Sequence, residues 1–349
     1  MDRSPGQRYR FEQYLPDLEA AGWEWELSNL LDEAMDRTLY SPGNYSGKAR
    51  IALHSRKVRK QDVARLQQFD LVVVYREALL TRSTFFEQAV HAAGIPLIVD
   101  FDDAIWIRDM HRSNRWLSGL KDPGKLRKLL GWTTAATAGN TYLADFARQY
   151  TKTVHVVPST VDTEVITPTP KSGEGPLVIG WMGSPTTLAH LEDIYPALTA
   201  LQAKWGDRIA FEFVGAAAGE PAPPRTTFLP WSASEENALL GRFDLGLMPL
   251  PETPWAAGKC GMKLLLYMAA GLPVVASPVG INTQLVPGHG LLANTAQEWV
   301  AALDTLLQED ETRRAFGSAG RAFVEQEYAR KRWADDVVNI YARAIHKSQ

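Results

Sequence analysis

Two lysines four residues apart, Lys259 and Lys263, open a run that spells GKCGMKLLLYMAAGLPVVASPVG over residues 258–280. Gly258 to Gly261 is a glycine-flanked turn. Met262 to Ala270 holds no breaker and is rich in Leu, Met and Ala, which predicts a helix. Gly271 with Pro273 ends it. Pro273 to Ser277, PVVAS, predicts a short strand of the buried parallel kind. A glycine turn at a helix start leaves unpaired backbone N–H groups aimed at one point, a ready site for an anion. On a helix the two amines reach the same side. Turn, helix start and two amines together suit a diphosphate. The plainer alternative is an ordinary helix–strand unit of any α/β protein.

GLPVVASPVG after a YMAAG helix end resembles the nucleotide-sugar site of the retaining GT-B glycosyltransferases of family 4, in a bacterial sub-branch that carries lysines here. In most members the turn opens with a glutamate and the helix carries a second one facing the nucleotide ribose. Gly258 and Leu266 stand at those two places. The resemblance implies an α/β GT-B fold: two Rossmann-like parallel-sheet domains facing a cleft, with the C-terminal helix crossing back. It implies an acceptor-binding domain over residues 1–165, a donor-binding domain over 175–330, and a returning helix over 331–349. It further implies transfer of a sugar, with retention, from a nucleotide diphospho-sugar to a hydroxyl of a glycan or lipid-linked acceptor, in cell-surface polysaccharide or glycoconjugate synthesis. No metal and no cofactor are expected, the nucleotide sugar being a substrate.

Length and composition agree with two soluble domains. The chain has 349 residues, 45% hydrophobic and 22% charged, with a formal net charge of −3. That balance does not suggest nucleic acid as a partner. The single cysteine, Cys260, excludes an internal disulfide framework and reads as a small buried filler in the turn. No apolar run reaches the ~18 residues of a membrane helix, and the first residues carry no apolar signal region. A cytoplasmic location is the expectation, peripheral to the inner membrane face if basic patches dock there.

Two such patches fall in the first half. Lys48, Arg50, Arg56, Lys57, Arg59, Lys60 and Arg65 lie against one acid, Asp62; Arg108, Arg112, Arg115, Lys121, Lys125, Arg127 and Lys128 lie against Asp109 and Asp122. Near an anionic bilayer each basic residue contributes ~1 kcal/mol, so peripheral membrane contact is one expectation and a solvated charged face the other. Near the start, Arg8 and Arg10 are candidates for an anionic acceptor or the donor phosphates, a solvated terminus being the alternative. Phe11 to Ala21 predicts an amphipathic helix. The family's strand before this loop has no counterpart, which implies a late start codon or a first sheet one strand short. Trp23 to Leu27 alternates like a half-buried strand, and Arg50 to Leu53 predicts another.

The runs at 70–75, 96–99, 133–138 and 153–157 predict buried strands. In open α/β sheets ligands gather beyond the carboxyl ends of strands. Arg76 and Glu77 follow one such end, and Asp100, Asp102 and Asp103 another, so Arg76, Glu77 and Asp102 are candidate catalytic groups and Asp103 a candidate acceptor contact. A buried ion pair fixing the loop is the alternative for Arg76 and Glu77. Asn140 predicts a helix cap that also meets the acceptor.

In the second half Leu177 to Trp181, then Gly183 and Ser184, form a strand–glycine turn–helix unit suited to phosphate, with the helix running to Trp205. The family's basic residue near this turn is lacking, which leaves that charge to Lys259 and Lys263. Analogy puts the base near Trp231, a structural Trp being the alternative, and Gly261, Gly280 and Asn282 border the donor. Two other functions compete. A nucleotide-sugar epimerase wants acid/base carboxylates and histidine at the sugar, and residues 258–280 hold neither. A catalytically weak binding protein for sugar nucleotides or phosphosugars is favoured by Gly258 and Leu266.

Overall fold

The computed structural model describes residues 5–40, 43–107, 122–171, 173–216 and 222–346. The apolar runs become strands that pair in parallel throughout. β1 (Val72–Tyr75), β2 (Leu97–Phe101), β3 (Ala135–Ala138) and β4 (Val154–Val156) form a sheet in the order β1-β2-β3-β4. β5 (Leu177–Met182), β6 (Ile209–Val214), β7 (Thr226–Leu229), β8 (Leu245–Met248), β9 (Val274–Ala276) and β10 (Gly290–Leu292) form the other, in the order β10-β9-β8-β5-β6-β7. A parallel pair needs a long crossover, and the crossover helices cover both faces. That is why β2, β3, β8 and β9 are buried at every residue and read as continuous apolar runs rather than alternating ones.

The described chain divides into two compact units, one holding residues 10–157 and 334–346, the other 5–9 and 158–333. In the second unit the helix Met262–Ala269 lays Leu264, Leu265, Tyr267 and Met268 against one face of the sheet. The helices Tyr195–Trp205 and Ala296–Gln308 lay Leu198, Leu201, Trp299, Leu303 and Leu306 against the other. Each fully buried side chain of this size contributes about 1.5–3 kcal/mol. Gly246 on β8 lets the helix approach: a β-carbon there would come within 2.4 Å of the Tyr267 ring. The Tyr267 hydroxyl in turn accepts from the Met182 N–H at 2.8 Å, tying the helix to the end of β5.

Some expectations are corrected. Trp23 to Leu27 forms no strand, because alternation is not enough without a neighbouring strand. Instead Trp25 Nε1 donates to Glu19 at 2.8 Å, and the Trp23 ring meets Tyr341 edge-on. Arg50 to Leu53 lies inside a twenty-residue helix, Tyr45–Ala64, capped by Asn44, whose side chain accepts from the Gly47 N–H. The helix after β5 is two helices, Pro185–Glu192 and Tyr195–Trp205, parted at Asp193–Ile194 with Pro196 opening the second. Asp310–Phe323 ends in a π turn, Val324–Tyr328. The Phe11–Ala21 helix is a 3-10 turn, Glu12–Tyr14, followed by Leu15–Ala20. No described helix is long and apolar enough to cross a membrane.

Candidate donor and acceptor sites

The carboxyl ends of β8, β5, β6 and β7 form a row in the second unit, and the expected donor residues stand along it. After β8, the short helix Pro254–Ala257 leads into the turn, where Gly258 N–H donates to Trp255 O and Lys259 N–H to Ala256 O. Gly261 has φ 71°, and a β-carbon there would lie 2.4 Å from Leu285 Cδ1, so glycine is required on both counts. Gly280 packs on the same turn, its missing β-carbon pointing 2.7 Å from Ala257 O.

The two lysines do not share a ring. The Lys259 ammonium lies 3.9 Å from the centroid of Trp255, and the Lys263 ammonium 5.5 Å from that of Trp181. Such cation–π contacts contribute ~0.5–1 kcal/mol at exposed sites. Trp181 also adjoins the Gly183 turn: a β-carbon on Gly183 would meet its ring at 2.5 Å and Thr187 Oγ1 at 2.8 Å. Lys263 and the Gly183 turn therefore converge on one indole. Ser184 is extended and opens the helix Pro185–Glu192, its carbonyl accepting from the Thr187 N–H at 2.9 Å.

Beyond the turn, a β-carbon on Gly215 would lie 2.1 Å from Gly183 O and 3.6 Å from Trp231 Cβ. Trp231 is half-buried and its Nε1 donates to Glu236 at 3.0 Å. Arg8 and the Tyr9 hydroxyl also donate to Glu236, and the Arg8 guanidinium lies 5.6 Å from the Trp231 ring centroid. Burial, with Glu236 next, pushes the Tyr9 phenol well above its usual value. Arg8, expected to meet an anionic acceptor or the donor phosphates, belongs to the second unit and braces Trp231. Glu236 was missed: two of its partners, Arg8 and Tyr9, lie over two hundred residues away in sequence, and no local pattern marks them. Asn282 is fully buried, Nδ2 donating to Ser277 O at 3.0 Å while Oδ1 has no partner among the described residues. Cys260 is buried, and Leu266, at the family's glutamate position, faces the core at 5% exposure.

In the first unit the residues after β1 and β2 meet. Arg76 donates from Nε to Asp102 at 2.8 Å and from a terminal nitrogen to Asp103 at 2.6 Å, and the Tyr75 hydroxyl donates to Asp102 at 2.9 Å. Arg76 has φ 58°, a strained conformation for a non-glycine residue that is held by its N–H donating to Asp100 O at 2.6 Å. Glu77 turns elsewhere, 3.7 Å from Lys125 Nζ. Lys125 is fully buried and donates to Leu79 O and Thr81 O, so it pins the loop after β1. Asn140 caps the helix Thr141–Ala147, its side chain accepting from Leu143 N–H at 2.9 Å.

Arg10 is not an exposed cation. Its guanidinium is buried and chelated by both Asp100 oxygens and Val157 O, with Thr137 Oγ1 donating to Asp100 at 2.6 Å. Asp100 and Asp102 therefore serve different partners. Among the described residues no group of three or more His, Cys, Asp or Glu is placed to hold a metal. In the first basic patch Arg59 is buried against Ala78 O, Ser28 and Asp62, and Arg65 pairs with Glu26 and Asp62. Arg50, Arg56, Lys57 and Lys60 are exposed on the helix Tyr45–Ala64. Arg108, Asp109, Arg112, Arg115 and Lys121 of the second patch lie outside the described residues.

Residues 177–309 match the family model described as glycosyl transferases group 1. No curated protein sequence matches the chain significantly. Among solved structures, sucrose-phosphate synthase from Thermosynechococcus elongatus is similar at 13% identity, covering 99% of this chain and 95% of that one with a TM-score of 0.71. A glycosyltransferase from Rickettsia africae ESF-5 is similar at 12% identity, with 98% and 96% covered and a TM-score of 0.67. The Anabaena protein HepE, solved in complex with UDP and glucose, is similar at 16% identity, with 82% and 81% covered and a TM-score of 0.63. These likenesses show the fold, which is GT-B as expected. The matched segment spans β5 to β10, so a group 1 glycosyl transferase domain makes up most of the second unit of a chain of GT-B fold.

Proposed function

We propose that the protein transfers a glycosyl group from a nucleoside diphosphate sugar to a hydroxyl of a glycan or lipid-linked acceptor, with retention, in cell-surface polysaccharide or glycoconjugate synthesis. The observation that carries this reading is the convergence of Lys263 and the Gly183 turn on the Trp181 indole, at the start of a helix and beyond the ends of parallel strands. The diphosphate binds there, and Lys263 with Lys259 offsets charge that builds on it as the glycosyl bond breaks. The base lies toward Trp231, whose indole is held by Glu236 and Arg8. HepE was solved with UDP-glucose, which makes uridine donors the first to try.

The acceptor hydroxyl is received by Asp102 and Asp103, with Arg76 orienting both carboxylates. A lipid-linked acceptor fits the exposed cations of the helix Tyr45–Ala64, which favour an anionic bilayer. Leu266 supports a second reading, a sugar-nucleotide-binding protein of little catalytic power, because a buried leucine offers the ribose no acceptor.

Calorimetry with UDP, GDP and ADP, followed by donor hydrolysis in wild type and Lys263→Ala, tests the two. Transfer is expected to show nucleotide binding and a rate that falls with the lysine. Binding without turnover leaves the second reading, and no binding of any nucleotide removes both.

A further inference from the structure

The second unit holds a cavity that none of the donor groups above uses. It has a volume of about 190 Å³ and opens beyond the carboxyl ends of β8, β9 and β10. At ~30 Å³ per water that is room for about six waters, well under the ~300 Å³ of a drug-sized pocket. One six-membered ring with its substituents fits.

Its floor is buried and its mouth exposed. Trp299, Ser277 and His190 form the floor, at 1%, 5% and 7% exposure. Asp193, Glu252 and Asn294 stand at the mouth. Trp299, almost wholly buried, gives the cavity one indole N–H donor. Ser277 Oγ accepts from the Leu250 N–H at 3.0 Å, and its hydroxyl keeps one hydrogen to donate.

The lining selects a ligand class. No described lysine or arginine lines the cavity, and two carboxylates flank its mouth, so a phosphate is repelled. A sugar ring presents alternating O–H donors and oxygen acceptors. The carboxylates take the donors, the Trp299 N–H and the Ser277 hydroxyl meet the acceptors, and Asn294 serves either. His190 connects the cavity to the lysine side, since its ring lies 5.6 Å from Trp255, the ring beneath Lys259.

We propose that this cavity is a subsite for one neutral glycosyl ring. The choice of ring rests on the proposed glycosyl transfer. The ring comes either from the donor or from the acceptor glycan.

The full chain is titrated with glucose, galactose, mannose and N-acetylglucosamine, followed by saturation-transfer NMR and tryptophan fluorescence. Asp193→Ala/Glu252→Ala removes the mouth carboxylates from exposed positions, and Trp299→Phe removes only the N–H from the floor. At least one hexose is expected to bind wild type, about 10-fold weaker in the double variant and several-fold weaker in Trp299→Phe, with UDP, GDP and ADP affinities unchanged. A nucleotide sugar that loses its advantage over its own nucleoside diphosphate in the variants assigns the donor ring. Loss of free hexose with that advantage intact assigns the acceptor ring. Wild type that binds no neutral hexose, or variants that bind like wild type, overturn the proposal. The nucleotide titrations stand apart: their failure in wild type sinks the transferase reading and leaves the hexose result to be judged alone.

Discussion

Lys263 holds its ammonium 5.5 Å from the centre of the Trp181 indole, and the same ring leaves no space for a side chain at residue 183. The amine that starts the helix Met262–Ala269 and the turn that ends β5 are thereby set against one rigid plane. Lys263→Ala is expected to lower donor hydrolysis about 100- to 1,000-fold, the usual loss when a preorganised charge-stabilising group is removed. Lys263→Arg keeps charge but changes reach and should recover part of it. Gly183→Ala is expected to damage the site from the other side, because its methyl group would displace Trp181 or Thr187. Steady-state rates beside nucleotide affinities separate the effects: the lysine acts on turnover, the glycine on both.

Arg10 and Asp100 predict the opposite balance, a loss of stability. Their pair is almost wholly buried, with the Arg10 side chain 1% exposed and that of Asp100 9%. Arg10→Ala leaves an uncompensated carboxylate beside Thr137 and is expected to cost about 3–5 kcal/mol. The exposed pair Arg37–Glu33, 70% and 60% exposed, is expected to contribute under ~0.5 kcal/mol. Denaturant unfolding of Arg10→Ala and Arg37→Ala checks the contrast. Equal midpoints would mean that burial does not set the worth of the Arg10 pair.

How much was legible from sequence follows from these neighbourhoods. Strands buried on both faces announce themselves as apolar runs, and the run at 273–277 brackets β9 to within one residue at each end. The helix Tyr45–Ala64 was hidden because its buried positions are Ile51, Ser55, Arg59 and Asp62, a stripe packed mostly by polar groups. No hydrophobic period marks such a face. The Trp23–Leu27 run misled for the converse reason, a strand pattern with no strand beside it. At the site, the lysine pair and the glycine turns were visible as local patterns. Their separate indoles, the clamp of Glu236 on Arg8, and the grip of Lys125 on the loop after β1 join distant segments, and local spacing carries no trace of them.

Buried phenols predict behaviour at alkaline pH. Burial pushes the Tyr267 and Tyr341 hydroxyls up, with Asp100 adding to the effect at Tyr341; Tyr9 is pushed up by burial and by Glu236. In the unfolded chain a phenol loses its proton near pH ~10. The folded state holds these protons to higher pH, so their contribution is complete below about pH 10 and falls as pH rises past it. Phenolate absorbance and circular dichroism recorded together should show these tyrosines ionising only as the fold is lost. Tyr267→Phe removes one such group and also the acceptor for the Met182 N–H. It should lessen the alkaline slope while lowering stability at neutral pH by about 1–3 kcal/mol.

The helix Tyr45–Ala64 carries the prediction for membranes. Tyr45 and Leu53 are 76% and 70% exposed, and Arg50, Arg56, Lys57 and Lys60 share its open surface. The helix Glu33–Tyr40 packs beside it, and its acid Glu33 pairs with Arg37 within that helix. A helix with cations around one exposed leucine and one exposed tyrosine fits an anionic bilayer surface, the rings and methyl groups entering and the charges staying among headgroups. Cosedimentation with phosphatidylglycerol vesicles is expected, and little with phosphatidylcholine alone. At ~1 kcal/mol per basic residue near the surface, Lys57→Glu/Lys60→Glu should weaken binding more than about 10-fold, and added salt should do the same to wild type. Leu53→Glu should weaken it at every salt concentration, because it removes buried apolar area as well as adding charge. Nucleotide binding measured on the same variants should not change. Equal binding of all variants to anionic and neutral vesicles would leave these residues a solvated face.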